Sequence, residues 1–439
     1  MQTTVAPAEQ VENPQAARPP LSRAELRDVL NTALRAGQIL LENGTNTARI
    51  EETVHHIGTG LGAEWMDIYV TPQAILATAV SHSEHRTRIL RVTGSGVDLS
   101  RMDAVIDISR RIDRGELTIE GALAALDIVA RQPRRYGVET TALAVGLACA
   151  AFAVLFGGEF GEFLVVLIAA SLAQYLRHTL LRYNLDRLMT TAIVAACSSG
   201  MALVMAYGLD RLNLLNVLPA RFALLAAPAT TLSASVLLLV PGVPLVSGTA
   251  DLFRGDIVSG IARATAALLA VVSIGVGVWA MLLITGAQVA ITTATQQSLP
   301  LAMLMALLAA GGFAVLFDVP LRALPAAALV GMAAVAVRNS ATILGGLPIE
   351  VGAFFGGLTI GVLAELLARR LHLPTSLFAI PGYIPLVPGV LAFRAVLGFI
   401  NDDSLAGLAD FVRATLIVVA IAVGLGTVSA LARIGQKPL

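Results

Sequence analysis

The sequence predicts a mainly α-helical membrane protein: ten transmembrane helices built as two inverted five-helix repeats, preceded by a small α+β cytosolic domain. Three observations predict it. Of the 60 Asp, Glu, Lys and Arg residues, 32 lie before Tyr136, leaving 28 for the remaining 304 positions. The later part repeatedly offers about 20 mostly apolar residues in a row, the length a helix needs to cross roughly 30 Å of hydrocarbon. That part is also written twice: LVPGVPLVSGTADLFRGDIVSGIA (residues 239–262) recurs in outline 147 positions later as LVPGVLAFRAVLGFINDDSLAGLA (residues 386–409), without a gap.

In chain order, residues 1–20 lack the basic start and apolar core of a signal peptide and read as a disordered cytoplasmic leader. Residues 21–135 read as a domain of helix, helix, two or three strands, helix, helix. Leu26, Val29, Leu30, Ala33 and Leu34 recur at helical spacing before Gly44 stops the first helix, and a second helix runs from about Thr47 to Leu61. Trp65 to Val70 and Ala74 to Val80 are strands around a turn at Thr71-Pro72, with Arg88 to Val92 as a third. Helices near residues 99–114 and 118–130 lead to the membrane.

The spans fall at residues 138–157, 162–182, 188–208, 222–249, 257–285, 299–317, 321–338, 347–368, 374–399 and 408–431. They form a first repeat over 136–285, an extracytoplasmic linker over 286–299 and a second repeat over 300–439. With the N-terminal domain in the cytoplasm, twelve basic residues, among them Arg134, Arg187, Arg322 and Lys437, lie at the inner side against Arg211, Arg221, Arg338 and Arg413 outside. That asymmetry puts both termini in the cytoplasm. Five spans per copy is an odd number, so the second copy enters the bilayer from the opposite face. A further match at an offset of 161 returns FAVLF of residues 152–156 at 313–317 and sets Arg177 opposite Arg338.

The repeated segment carries the helix breakers. Proline inside a helix removes a donor and blocks the carbonyl four residues earlier, and in lipid such a break survives only where it is buried in protein or lines a cavity. VPGVP, with Pro241, Gly242 and Pro244, and PGYIPLVPG, with Pro381, Gly382, Pro388 and Gly389, therefore interrupt spans four and nine near mid-membrane. The carbonyls and N–H groups freed there suit the carboxylate or ammonium of a small metabolite; a bare kink between packed helices is the plainer reading. Inverted repeats broken at matched places mark a secondary transporter.

Charges near the spans are the next filter, because a charge at the bilayer centre is expensive. Arg394, six residues past Pro388 and opposite Ser247 in the repeat, is the candidate for a substrate carboxylate, unless it snorkels outward. Asp251, ten residues past Pro241, suits an ammonium group or a coupling proton, and equally the cap of a span at the inner surface. Glu365 is a second proton-carrier candidate, discounted because Arg369 lies four residues later. Arg263 and Arg338 rank lower, as residues of span ends.

Other chemistry finds little support. Zero net charge with a single lysine gives no basic field for nucleic acid. His82 and His85, in SHSEHR between strands, lack a nearby third ligand, so no metal or other cofactor is expected. Glu42, Glu51 and Glu52 sit without a nucleophile elbow, phosphate loop or zinc signature. Cys149 and Cys197, inside spans, read as small apolar groups. A membrane-anchored hydrolase is the alternative of another class, but ten spans with a duplicated break exceed what an anchor requires.

Three ordered stretches, LLENGTNTARIEETVHHIGTGLG (residues 40–62), SASVLLLVPGVPLVSGTADLFRGDIVSGIAR (233–263) and IPGYIPLVPGVLAFRAVL (380–397), closely resemble the threonine/serine exporter family of bacterial membrane proteins. The resemblance covers nearly the whole chain after about Leu26. It implies a cytosolic domain plus five spans as one module and five further spans as a second, fused here with the seam near Gln296. It also implies alternating-access export of threonine and serine across the inner membrane. Two-chain relatives are dicarboxylate (succinate) exporters, and PLVSGTADLFRGD (residues 244–256) is worded more like those. The expected partners are the small-molecule substrate and the lipid bilayer, in a chain compatible with a homo-oligomer.

Overall fold

The structure is a computed structural model and describes residues 20–94, 96–214, 228–287, 297–401 and 403–434. Residues 1–19 of the expected leader, Arg221, Gln296 and Lys437 lie outside the described residues. The chain divides into two compact units. One comprises the residues up to Gly94 with Ala104–Gln132; the other comprises the stretch ending at Asp103 and everything from Pro133 onward.

In the first unit α1 (Arg23–Glu42) is started by Ser22, whose hydroxyl accepts from the Glu25 N–H while the Glu25 carboxylate accepts from the Ser22 N–H. It ends where Gly44 turns left-handed at φ 83°. Asn46 caps α2 (Thr47–Gly60). A three-stranded antiparallel sheet follows in the order β1 (Trp65–Thr71), β2 (Ala74–Ser81), β3 (Glu84–Arg91). Met66, Val70, Ile75, Ala77 and Ala79 are buried, and α1 packs on β2. Gly37 brings α1 that close: a Cβ there would lie 2.8 Å from Val54 and 2.9 Å from Ile75.

The third strand begins earlier than the sequence suggests. Only His82 and Ser83 separate β2 from β3, because His82 takes the left-handed conformation at φ 52°. SHSEHR is thus a tight turn plus the start of a strand, with His85 paired opposite Val80. Helices α3 (Leu99–Asp113) and α4 (Ile119–Arg131) follow, with α3 up to Asp103 belonging to the second unit.

The second unit continues with α5 (Val138–Leu155), α6 (Phe160–Arg182), α7 (Arg187–Leu214), α8 (Pro228–Ser235), α9 (Gly242–Arg254) and α10 (Ile257–Thr285). After them come α11 (Leu299–Leu316), α12 (Leu324–Ile343), α13 (Ile349–Leu371), α14 (Ser376–Tyr383), α15 (Gly389–Ile400) and α16 (Ser404–Ile434). Among the described residues nine helical segments are long and apolar enough to cross a bilayer. The pair Ser376–Leu386 and Gly389–Ile400, bent by 45°, brings the number up to ten. Residues 222–227 of the expected fourth span lie outside the described residues; its remainder is α8, a 3-10 turn (Leu237–Leu239) and α9.

The two FAVLF segments matched in the sequence end their helices alike. Phe156 and Phe317 end α5 and α11 at φ −90°, ψ 9° and φ −87°, ψ 10°. The next residues, Gly157 and Asp318, are left-handed at 95° and 57°. Gly158 N–H then returns to Ala153 O at 2.9 Å, and Val319 N–H to Ala314 O at 3.0 Å, the closing bond of a Schellman motif in each copy.

The turn at Asp318 also holds residues from ahead of α5. Arg135 and Tyr136 donate their backbone N–H groups to Asp318 Oδ1 at 2.9 and 3.3 Å, and the Tyr136 hydroxyl donates to Val319 O at 2.8 Å. Leu99 N–H donates to Phe317 O at 2.8 Å, and Arg322 pairs with Asp103 at 2.8 Å.

Candidate functional site

Each break is an inverse γ-turn centred on proline. Pro241 and Pro388 share φ −79° and ψ 58°. Gly242 N–H donates to Val240 O, and Gly389 N–H to Val387 O, both at 2.8 Å. The cause is local. Proline drives the residue before it out of the helical region, and Val240 and Val387 are extended at ψ 124° and 129°. Each is preceded by a 3-10 turn, Leu237–Leu239 or Ile384–Leu386. The γ-turn therefore satisfies one donor and one acceptor at each break, so fewer backbone groups are free than the sequence suggests.

The two breaks lie against each other reciprocally. A Cβ on Gly242 would meet Val387 at 3.3 Å and Ile384 at 3.4 Å, whereas one on Gly389 would run into Leu237 and approach Val240. Shifted by 147 positions, Val387 and Ile384 are Val240 and Leu237, so each glycine faces the other copy's turn at the same two places. Farther out, Phe152 of α5 meets its own equivalent, Phe313 of α11, edge to face with centroids 6.2 Å apart.

The surroundings differ between the copies. Around the first break Ser198, Thr231, Ser233 and Ser235 are buried, and the Ser198 hydroxyl donates to Ser235 O at 2.8 Å. Around the second, Pro381 sits inside α14, and Pro381, Gly382 and Tyr383 are buried. A Cβ on Gly382 would meet Val330 at 2.8 Å. Pro244 is half-buried in the first turn of α9. An apolar cleft between the breaks is lined by Val240, Gly275, Gly389, Phe393 and Val396, with Ser233 as its polar member.

Beyond each break stands an ion pair. Arg394 on α15 contacts Asp410 on α16 at 3.0 Å, the side chains 30% and 13% exposed. Arg263 on α10 contacts Asp251 on α9 at 3.4 Å, the side chains 11% and 0% exposed, and donates to the Ser247 hydroxyl at 3.2 Å. Asp251 is thus enclosed between helices rather than capping a span end at the surface. A carboxylate buried to that degree is held by its cation, and removing either member strands the other.

Glu365 is placed apart from these groups, bound to Arg369 at 2.8 Å on a partly exposed face of α13. Arg338 donates to Asn339 at 3.1 Å and to Pro385 O, in the second 3-10 turn, at 3.5 Å. In the first unit His82 donates from its backbone to Glu64 at 2.9 Å and sets Nδ1 against the same carboxylate. Among the described residues no three His, Cys, Asp or Glu side chains converge as metal ligands.

The breaks are legible in the sequence; the pairing of Arg394 with Asp410 and of Arg263 with Asp251 is not. A signal was present. The offset of 147 that sets Ser247 opposite Arg394 also sets Arg263 opposite Asp410, so the same two positions carry Ser and Arg in one copy, Arg and Asp in the other.

A family model described as a putative threonine/serine exporter matches residues 31–285, more than half the chain. A second, described as threonine/serine exporter, matches residues 302–431. The probable threonine/serine exporter of Mycobacterium tuberculosis is 26% identical over 419 residues, covering 92% of this chain and 75% of that protein. The threonine/serine exporter of Corynebacterium glutamicum is 25% identical over 429 residues, 94% of this chain and 83% of that one. The probable succinate transporter subunit YjjP of Escherichia coli is 28% identical over 260 residues, 59% of this chain and 96% of that protein. No solved structure matches. The two models follow one another along the duplicated spans and between them hold both proline breaks, and the chain belongs to the threonine/serine exporter family.

Proposed function

We propose that this chain exports small hydrophilic amino acids, threonine and serine, across the bacterial inner membrane by alternating access, with proton coupling. The observation that carries the reading is the reciprocal packing of the two breaks within a transporter family. Contacts that repeat with the partners exchanged are the mark of a two-fold relation. With five spans per copy, that axis lies in the membrane plane and the repeats are inverted, both termini being cytoplasmic. Two copies so related interconvert by exchanging conformations, which opens the crossing first to one side and then to the other.

In this scheme Pro241, Gly242, Pro244, Pro381, Gly382, Pro388 and Gly389 shape the crossing. Arg394 takes the substrate carboxylate from Asp410. Asp251, enclosed in the protein, is the better placed proton carrier, and Glu365, tied to Arg369, is the weaker one.

The test is efflux of preloaded labelled threonine, serine and succinate from cells expressing the intact chain or Arg394→Ala, with and without an imposed pH gradient. Threonine or serine efflux that disappears in a variant still present in the membrane supports the assignment. Normal flux in Arg394→Ala removes that residue from the site, and rates indifferent to the gradient remove the proton. Succinate efflux alone would transfer the chain to the reading favoured by its likeness to the E. coli subunit.

A further inference from the structure

The two ion pairs occupy one structural position used twice, with the charges redistributed. In the first copy the cation is on the long helix, Arg263, and the short helix supplies Asp251 and Ser247. In the second the cation is on the short helix, Arg394, and the long helix supplies Asp410. The position that would correspond to Asp251 is Gly398, packed against Gly407 with a hypothetical Cβ only 2.7 Å away. Each copy thus keeps one arginine and one aspartate beside the path, although the two solutions differ in sequence.

We infer that each pair is a recognition station for a zwitterion, with Arg263 and Asp251 serving one side of the crossing and Arg394 and Asp410 the other. This inference rests on the proposed two-fold arrangement and deepens it. An amino acid carries one carboxylate and one ammonium on neighbouring atoms. Its carboxylate replaces aspartate on the arginine, and the aspartate released takes the ammonium. The station is neutral when empty and neutral when filled, so no net charge is created in a low-dielectric interior, where an unpaired charge costs several kcal/mol.

A dicarboxylate meets a different field. Its first carboxylate can take the arginine, but its second then faces the displaced aspartate. Binding by both arginines at once is excluded by length. Ser247 and Arg394 each lie five residues past the glycine of their break, about 7.5 Å of helix. With the short helices leaving the crossing in opposite directions, the stations stand on the order of 15 Å apart. A four-carbon dicarboxylate is shorter than two extended residues, about 7 Å. Asp251 and Asp410 are therefore the residues that set selectivity for amino acids over dicarboxylates, and a substrate visits the stations one after the other.

The experiment measures equilibrium binding of labelled threonine and labelled succinate to the purified full-length chain, as wild type, Asp251→Asn and Asp410→Asn. Both substitutions keep shape while deleting the charge. Asp410, at the more exposed station, guards against a folding defect from stranding Arg263. We expect the ratio of threonine to succinate affinity at the altered station to fall at least tenfold in each variant while the intact station keeps the wild-type ratio, because the ammonium loses its partner as the second carboxylate loses its repulsion. A purely structural role would weaken both ligands together and leave the ratio unchanged, which overturns the inference, as would a wild type that prefers succinate or binds neither ligand. Because binding is read separately from efflux, a chain that discriminates the ligands as expected yet exports neither amino acid would retain the stations and lose the exporter reading.

Discussion

The two proline breaks have the same backbone and different neighbourhoods. Pro241 and Pro388 agree in both dihedral angles, and the bonds that close their γ-turns agree in length. Around that shared frame the first copy buries hydroxyls and a fully enclosed aspartate, and the second buries Pro381, Gly382 and Tyr383 beside a more open ion pair. The geometry of a break is set by a Pro-Gly dipeptide and its extended predecessor, whatever lies alongside. Side chains around it are free to differ between the two.

The largest difference we expect is steric. A methyl group on Gly389 runs into the buried Leu237 side chain, whereas one on Gly242 sits 3.3 Å from Val387 and needs its neighbour to give by only a few tenths of an ångström. Overpacking of the first kind costs about 1–3 kcal/mol and holds the breaks apart. Gly389→Ala should lower efflux at least tenfold and Gly242→Ala no more than about twofold, at equal amounts of protein in the membrane. Equal losses would mean that the crossing is symmetric in function despite its asymmetric packing.

A second comparison exchanges the charges of the outlying pair. Asp410→Arg sets a second cation beside Arg394; since the pair is partly exposed, the cost should be about 1–3 kcal/mol, below the 3–5 kcal/mol of a fully buried break. Adding Arg394→Asp restores an ion pair in the orientation of the first copy, with the cation on the long helix. Thermal unfolding and threonine binding should fall in the single variant and recover in the double. A double variant no better than the single would show that this copy's polarity is fixed by something other than its partner.

These contrasts also explain what the sequence could and could not disclose. The duplicated Pro-Gly is a short-range signal, because proline's ring and missing donor act on residues one and four positions away, so both breaks were readable at their own residues. The helices and strands of the first unit were readable too, apart from the start of β3. That strand hinges on His82 entering a conformation that non-glycine residues seldom adopt. Arg263 is another matter. From the chain alone it is a cation six residues into a long span, indistinguishable from one that snorkels. What pairs it with Asp251 is the return of α10 alongside α9, and side-chain contact between helices is not written in local pattern.

The smallest effect expected concerns the turn after the first helix of each copy. Gly157 adopts its left-handed conformation without strain and offers no side chain, whereas Asp318 takes the same turn and accepts the backbone N–H groups of Arg135 and Tyr136. Asp318→Gly makes the second turn like the first. It loses two hydrogen bonds to the carboxylate, one of them long at 3.3 Å, and this loss is offset in part by about 1 kcal/mol of backbone strain relieved and by the repulsion from Asp98 that disappears, leaving a net loss of stability near neutral pH.

The same substitution has a signature in pH. Burial, foremost, holds the Asp98 carboxyl above its ordinary value of 3.8, and the Asp318 charge adds to that rise against the Arg101 N–H and the Arg101 and Arg134 charges. An acid whose folded pKa is raised contributes stability that is fully present below the unfolded pKa and is lost as pH rises through the folded one. Without Asp318 the Asp98 pKa moves back toward its ordinary value, and this loss becomes smaller. Thermal unfolding of the detergent-solubilised chain between about pH 4 and 7 should therefore show the Asp318→Gly deficit shrinking as pH rises. A deficit of constant size would mean that Asp318 acts through its hydrogen bonds alone, and that the two copies' turns differ only in what they hold.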